Sequence, residues 1–189
     1  MSLLKLNYIK GLSRAYPFFI SIFLFLVGFI FQSDISIFLF TYILILDLVA
    51  VKGLKYIFQH IYKFLDMEYL PIIGTGLRPI DAKYCGCFID EHNIEGIPTS
   101  FGLPSGHSII AIAVSVFGSY YILENYPDTL KRKLSLTILN LLGIFMASSR
   151  IWLGCHTIQQ VVIGSLIGYL CGYYGYILWK FIKINSMFN

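Results

Sequence analysis

Charged residues are scarce in this chain: Lys, Arg, Asp and Glu make up 13% of its 189 residues, against about 25% in a typical soluble domain. Hydrophobic residues make up 57%, and they occur in runs close to the roughly 20 residues that cross a bilayer as a helix. A water-soluble domain is therefore excluded, and the composition predicts an all-α fold, a polytopic membrane helix bundle. Because no small-residue cleavage site follows the first apolar run, we expect that run to remain as a membrane helix.

Two further shortages limit the function. The net charge is only +4, and no basic stripe is present, so we expect no nucleic-acid partner. Four cysteines are too few and too scattered for a disulfide scaffold. Cys85 and Cys87, with Asp90 and His92 nearby, form at most an incomplete metal site, and loop packing or a chance pair are the alternatives. We therefore expect no metal and no cofactor.

The apolar runs predict five membrane spans and leave a sixth open. Residues 1–14 are predicted to form a basic amphipathic segment on the membrane surface. The predicted spans are Tyr16–Phe31, Ile35–Val51, Ser105–Leu123, Leu134–Ser148 and Thr157–Trp179. The stretch Lys52–Leu65 either extends the second span or forms a short additional membrane element.

Proline and glycine concentrate in one long polar segment, Asp66–Leu103, which holds three prolines and five glycines. This segment is predicted to be a structured loop. We expect one domain over residues 1–189, with 66–103 as an active-site loop and 104–180 as catalytic core helices. In the last span, Gly164, Gly168 and Gly172 repeat every four residues, a spacing typical of close helix packing.

Histidine and arginine side chains, which are costly near a membrane core, stand at the ends of the predicted spans. Arg78 lies in the loop, Pro104–His107 opens the third predicted span, and Arg150 and His156 lie between the last two. Because two spans separate His107 from Arg150, all these residues should meet on one membrane face. Two arginines can clamp a phosphate, and two histidines can act on it as nucleophile and acid. Each residue alone is more commonly an interface anchor, but their joint occurrence favours a site.

The motifs resemble those of the type 2 phosphatidate phosphatase superfamily of membrane lipid phosphatases. The pattern of that family has three parts: Lys, six residues and Arg-Pro; then Pro-Ser-Gly-His; then Ser-Arg, five residues, His, three residues and Asp. Here Pro104–His107 matches the second part, and Ser149, Arg150 and His156 match the third. The resemblance covers about Arg78 to Gly168.

This resemblance implies a role for each matching residue. His156 would be the nucleophile that becomes phosphohistidine, and His107 would protonate the leaving group. The implied phosphate-binding residues are Arg78, Ser105, Gly106 and Arg150. The resemblance also implies that the reaction requires no metal ion.

The chain departs from the family pattern at two positions. Gln160 replaces the aspartate of the third motif. Its carbonyl can still accept the Nδ1–H of His156, although it supplies no negative charge. The third motif therefore resembles dolichyldiphosphatases and glucose-6-phosphatases, which favours an active enzyme and points to a polyprenyl diphosphate. We expect aspartate to be tolerated at position 160 and leucine not.

The second departure is the lysine of the first motif. Pro71 stands seven residues before Arg78, where that lysine is expected. Lys55, Lys63 and Lys83 are candidates for its role, and the sequence does not choose among them.

We therefore expect a metal-independent membrane phosphatase that hydrolyses a lipid phosphate or polyprenyl diphosphate through a phosphohistidine. A head-group phosphotransferase of the same architecture is the alternative. The expected partners are the lipid substrate and the membrane, with no prediction of oligomeric state.

Charge also predicts which side of the membrane holds the site. The basic residues beside the last two spans lie opposite the site: Lys131–Lys133, Lys180 and Lys183. Such residues favour the cytoplasm, which places the site on the lumenal or extracellular face. The N-terminal Lys5, Lys10 and Arg14 also favour the cytoplasm, and a sixth span would be needed to satisfy both groups.

Overall fold

The computed structural model of the protein describes residues 3–80, 82, 85 and 101–186. Helices dominate this part of the chain, which confirms the predicted fold class. In chain order the elements are α1 (Leu3–Phe31), α2 (Asp34–Ile45), a π-helical segment (Leu46–Gly53), α3 (Leu54–Phe64), β1 (Tyr69–Leu70), β2 (Gly74–Thr75), α4 (Gly106–Asn125), α5 (Leu130–Trp152) and α6 (Ile158–Ser186). The two short strands pair antiparallel inside the loop.

Five helical stretches are long and apolar enough to cross a membrane: Arg14–Phe31, Asp34–Phe64, Gly106–Asn125, Leu130–Trp152 and Ile158–Asn185. The protein is thus a multi-pass membrane protein. The stretch Lys52–Leu65 continues the second span, and no sixth span is found within the described residues. The helix α1 has no backbone break between residues 3–14 and the first span. That residues 1–14 lie on the membrane surface stays a prediction.

The bundle has two ends, which we name by the connections they carry. At the loop face, α4 and α6 begin, α5 ends, and residues 65–105 connect α3 to α4. At the opposite face lie the turn at Gln32–Ser33, the connection over residues 126–129 and the end of α6. With five spans, the start of α1 lies at the loop face. The cluster Lys131–Lys133 lies in the first turn of α5, whose N-cap is Thr129.

The second span carries the π-helical segment. Asp47 and Lys52, five residues apart, form an ion pair with 3.4 Å between the carboxylate oxygen and Nζ. Val51, at the end of this segment, packs against the start of α4, since a Cβ placed on Gly106 would lie 2.6 Å from its Cγ1. Wide turns of this kind are frequent at functional sites, and this one seats the second span beside the first turn of α4.

The glycine stripe on α6 packs against the backbone of α4, as its spacing predicts. A Cβ at any of the three positions would collide with an α4 main-chain oxygen at 2.5–2.7 Å. The pairs are Gly164 with Ser105, Gly168 with Ile109, and Gly172 with Ala113. Because the two backbones touch over two turns, the start of α6 is fixed beside the start of α4.

The interior of the bundle centres on α4. Its residues Ile110 and Val114 form a buried cluster with Leu24 of α1 and Ile43 of α2, and Phe117 forms another with α6. Large apolar side chains of the spans point outward instead, as expected where the surrounding medium is hydrocarbon. The polar and charged side chains described next lie outside this apolar interior, at the helix ends of the loop face.

Candidate active site

His156 lies two residues before α6 and is almost completely buried, with 3% of its surface exposed. Its Nδ1 is 3.0 Å from Oε1 of Gln160, one turn into α6. The Nε2 of Gln160 donates to the carbonyl oxygens of Thr75 at 2.9 Å and Leu77 at 2.7 Å. These two acceptors fix the orientation of the amide, so its oxygen must accept the Nδ1–H of His156. The lone pair of the imidazole is therefore on Nε2.

Arg78 reaches that lone pair from the loop. Its Nη1 lies 3.3 Å from Nε2 of His156 and 3.5 Å from the carbonyl oxygen of Cys155. A guanidinium donates and never accepts, so the contact with Nε2 supports the same tautomer. The structure thus brings together Arg78 and His156, which are 78 residues apart in sequence.

Arg150 lies in the last turn of α5 and is fully buried. Its Nη2 donates to the carbonyl oxygen of Cys85 at 2.7 Å. Its own carbonyl accepts the backbone N–H groups of Cys155 at 3.0 Å and His156 at 3.1 Å. The short link between α5 and α6 therefore folds back onto Arg150 and carries His156 with it.

Ser105 is the N-cap of α4 and is completely buried. Its backbone N–H donates to the carbonyl of Gln160 at 3.1 Å, and its hydroxyl accepts from Ser108 at 2.8 Å. Gly106 is the first residue of α4. The start of this helix, where an anion is favoured, is thereby tied to the residue that orients His156.

His107, in the first turn of α4, contacts an element that the sequence did not connect with the site. Its Nε2 is 2.8 Å from the carbonyl oxygen of Arg14 on α1. A carbonyl only accepts, so His107 donates from Nε2, and its Nδ1 is the other nitrogen available for chemistry. The charges of Arg78 and Arg150 act on both histidines, which places the two rings in one electrostatic environment.

The surroundings of His156 hold its pKa well below the usual 6.5. Burial is the largest cause, followed by the charges of Arg78, Arg150 and Lys55, while the hydrogen bond to Gln160 opposes them. Desolvation and neighbouring cations both disfavour the imidazolium. His156 is therefore neutral at neutral pH, as a nucleophile must be.

Lys55 is the functional candidate that sequence reasoning left undecided. It lies one helical turn after Val51 on the second span, half-buried, and its charge acts on both histidines. Lys63 is exposed and lines a separate cavity with Gln59 and Asp66, and Lys83 lies outside the described residues. The helical context of Lys55 was a signal in the sequence, but its distance from Arg78 along the chain argued against it.

The cysteine pair considered for a metal has a different partner. Cys85 forms a disulfide with Cys155, so it does not serve as a thiolate ligand. Cys87, Asp90 and His92 lie outside the described residues. Within the described part of the chain, no three His, Cys, Asp or Glu side chains gather as a possible metal site.

Comparisons with known proteins found a matching family and a similar curated protein. The family model described as PAP2 superfamily matches residues 36–183. Phosphatidylglycerophosphatase B of Bacillus subtilis (strain 168) is 32% identical over 73 residues, which cover 38% of this chain and 36% of that protein. The aligned part thus spans about a third of the length of this curated relative. No solved structure matches the chain.

Proposed function

The chain belongs to the PAP2 superfamily, and we propose on that premise that it is a membrane-embedded phosphatase acting on a lipid phosphate or a polyprenyl diphosphate. One observation carries the proposal. His156 is held neutral by burial, its Nδ1–H is occupied by Gln160, and its Nε2 lone pair faces the guanidinium of Arg78. A lone pair beside a cation at the end of a membrane helix suits attack on an anionic phosphorus centre.

In the first step, Nε2 of His156 attacks phosphorus and forms a P–N bond. The P–O bond to the leaving group breaks, and that oxygen takes a proton from His107. The Nδ1–H of His156 keeps its hydrogen bond to Oε1 of Gln160, and this oxygen stabilises the positive imidazole ring that develops. In the second step, water attacks phosphorus, His107 accepts its proton, and the P–N bond breaks to release phosphate.

His107 enters the first step as the imidazolium. Its Nε2–H is held by the Arg14 carbonyl, so the proton for the leaving oxygen comes from Nδ1 and leaves a neutral ring, and Nδ1 takes the proton of water in the second step and restores the imidazolium. The non-bridging oxygens are held by Arg78 and Arg150, with Lys55 supplying the charge of the first-motif lysine. The hydroxyl of Ser105 and the backbone N–H of Gly106 add neutral donors at the helix start. Arg78 moves from Nε2 onto a phosphate oxygen when substrate binds. These three cations supply the charge stabilisation that makes a metal ion unnecessary.

Two substrate classes are supported by different observations. Gln160 makes the third motif similar to that of dolichyldiphosphatases, which favours a polyprenyl diphosphate with cleavage at its terminal phosphate. The Bacillus relative bears a name that refers to phosphatidylglycerophosphate, and 32% identity over 73 residues makes that lipid the second candidate. Both place an anionic head group at the loop face and an apolar tail among the helices.

We also propose that the loop face is lumenal or extracellular. The opposite face carries five basic residues near span ends, against three acidic residues, Asp34, Glu124 and Asp128. The Cys85–Cys155 disulfide at the loop face supports the same side, because disulfides persist in oxidising compartments. The chain would then act as one phosphatase domain over residues 1–189, with 66–103 as its active-site loop and 104–180 as its catalytic core.

Phosphate release from purified protein in detergent tests the function. The panel contains a polyprenyl diphosphate, phosphatidylglycerophosphate and phosphatidate, each assayed with EDTA and with vanadate. We expect turnover of at least one lipid, no inhibition by EDTA, and inhibition by vanadate as a five-coordinate phosphorus mimic. Activity that requires a divalent ion would refute the metal-free mechanism. Phosphate found on an added alcohol, with none released to water, would replace the hydrolase by a phosphotransferase.

A further inference from the structure

The disulfide joins the loop to the nucleophile's own segment. Cys85 and Cys155 are 70 residues apart in sequence, and both are buried, with 4% and 1% of their surfaces exposed. Cys155 directly precedes His156. The bond thus fixes the position of the loop relative to the residue that attacks phosphorus.

Both arginines of the site donate to the backbone of these two cysteines. Arg150 donates from Nη2 to the carbonyl of Cys85 at 2.7 Å. Arg78 donates from Nη1 to the carbonyl of Cys155 at 3.5 Å. The Cys155 N–H donates in turn to the carbonyl of Arg150 at 3.0 Å. One acceptor of each guanidinium group therefore belongs to one of the two residues that the disulfide connects.

We propose that the Cys85–Cys155 disulfide is a positioning device for the phosphate clamp, and that the oxidised protein is the form that binds phosphate. This proposal rests on the proposed function of the same site. Forming the bond transfers two electrons and two protons from the thiols to a disulfide donor, such as oxidised glutathione or a thiol oxidoreductase. A dithiol reverses it: its thiolate attacks one sulfur, its second thiol closes a ring, and both cysteines leave as thiols.

Reduction changes the site through Arg150. With the bond open, Cys85 loses its covalent link to Cys155, and its carbonyl can shift away from Nη2 of Arg150. A fully buried guanidinium that loses an acceptor turns toward another one, because an unpaired buried donor is costly. The charge that should meet the phosphate is then misdirected, while His156 keeps its own hydrogen bond to Gln160.

The test compares wild-type protein with Cys85→Ser and Cys155→Ser variants. Cys171→Ser, at the free cysteine on α6, and Cys87→Ser are matched controls with the same chemical change. The readouts are the affinity for inorganic phosphate, measured by isothermal titration calorimetry without any turnover, kcat and KM separately, and the melting temperature. Peptide mapping without reductant first establishes which cysteines are bonded. Dithiothreitol and then oxidised glutathione are applied to the wild type.

We expect the two bonded-cysteine variants and the reduced wild type to bind phosphate at least about tenfold more weakly, the size of one charge-assisted hydrogen bond. They should remain folded at the assay temperature, and reoxidation should restore the wild type alone. Unchanged phosphate affinity after reduction, or an activity loss that only follows the folded fraction, would overturn the proposal. Mapping that shows no Cys85–Cys155 bond would do the same. If the oxidised protein hydrolyses no lipid phosphate, the proposed function fails, while phosphate affinity still tests the disulfide.

Discussion

Replacing Gln160 by glutamate changes one atom of a fully buried side chain. It separates the two tasks of that side chain, which are accepting a hydrogen bond from His156 and donating to the loop. The oxygen that accepts from Nδ1 of His156 at 3.0 Å is kept. The nitrogen that donates to Thr75 and Leu77 at 2.9 and 2.7 Å becomes an oxygen facing two carbonyl oxygens. Two neutral hydrogen bonds are lost, which amounts to about 1–3 kcal/mol of folding free energy.

The loss of these two hydrogen bonds should also lower the reaction rate, because they hold the loop that carries Arg78. Leu77 is followed directly by Arg78, so a loop released from Gln160 lets the guanidinium drift from the nucleophile. A misplacement of about 1 Å can cost about a hundredfold in rate. We therefore expect Gln160→Glu to lower kcat/KM by about ten- to a hundredfold and to lower the melting temperature. Gln160→Leu, which removes the acceptor as well, should be worse.

The assay is kcat/KM on the lipid that the substrate panel identifies, together with the melting temperature of the detergent-solubilised protein. Gln159→Glu is the control, because this exposed neighbour on α6 undergoes the same chemical change. Wild-type kinetics and stability in Gln160→Glu would refute the reasoning, since only orientation of His156 would then matter. That aspartate is tolerated at position 160 stays a prediction, and Gln160→Asp tests it with a side chain that keeps an acceptor but is shorter and cannot donate to either carbonyl.

Further predictions test the nucleophile, the acid, the protonation of the nucleophile, and the side of the membrane on which the site lies. His156→Ala should abolish turnover and phosphohistidine labelling trapped by an alkaline detergent quench, with the fold intact. His107→Ala should slow alkyl phosphates more than an aryl phosphate, whose leaving group needs no acid; equal losses would contradict the acid role. Because the pKa of His156 is lowered, protonation of the nucleophile should not reduce kcat/KM just below pH 6.5. Below pH 6.5 the free energy of unfolding should nevertheless fall, because the unfolded chain takes up the proton. A kcat/KM that falls with an apparent pKa near 6.5, both in the wild type and after replacement of His107, would contradict this prediction. In a background with Cys87 and Cys171 replaced by serine, an impermeant thiol reagent applied to cells should label Met67→Cys and not Asp128→Cys; the reverse pattern would place the site in the cytoplasm.

The parts of the site that follow helix order could be predicted from the sequence. Counting spans was enough to bring Arg78, His107, Arg150 and His156 to one face, because each crossing reverses direction. The four-residue glycine spacing predicted close packing on one side of α6 for a similar reason, since helix geometry fixes which residues share a side; that α4 is the partner came from the structure. The hydrogen bond from His156 to Gln160 lies within one helical turn and needed no tertiary information.

The remaining contacts depend on where the loop and the first two spans lie in space. The donors of Gln160 meet carbonyls more than 80 residues away. The pairing of Cys85 with Cys155 has no signature in cysteine spacing. The position of Lys55 follows from the π-helical turn before it, and such a turn changes which side of a helix a residue occupies. A helical sequence pattern assumes a constant period, so it could name Lys55 as a candidate but could not choose it over Lys63 and Lys83.

The contact between His107 and α1 means that the proposed nucleophile and the proposed acid are held by different parts of the chain. The nucleophile and its orienting amide lie within residues 36–183, which match the family, whereas the carbonyl that holds the proton of His107 belongs to Arg14, outside that match. In the proposed mechanism the attacking side chains thus belong to the part of the chain that matches the family, whereas the acid is held by a helix outside that match. A chimera that exchanges α1 between relatives would therefore transfer leaving-group preference without transferring the ability to form phosphohistidine.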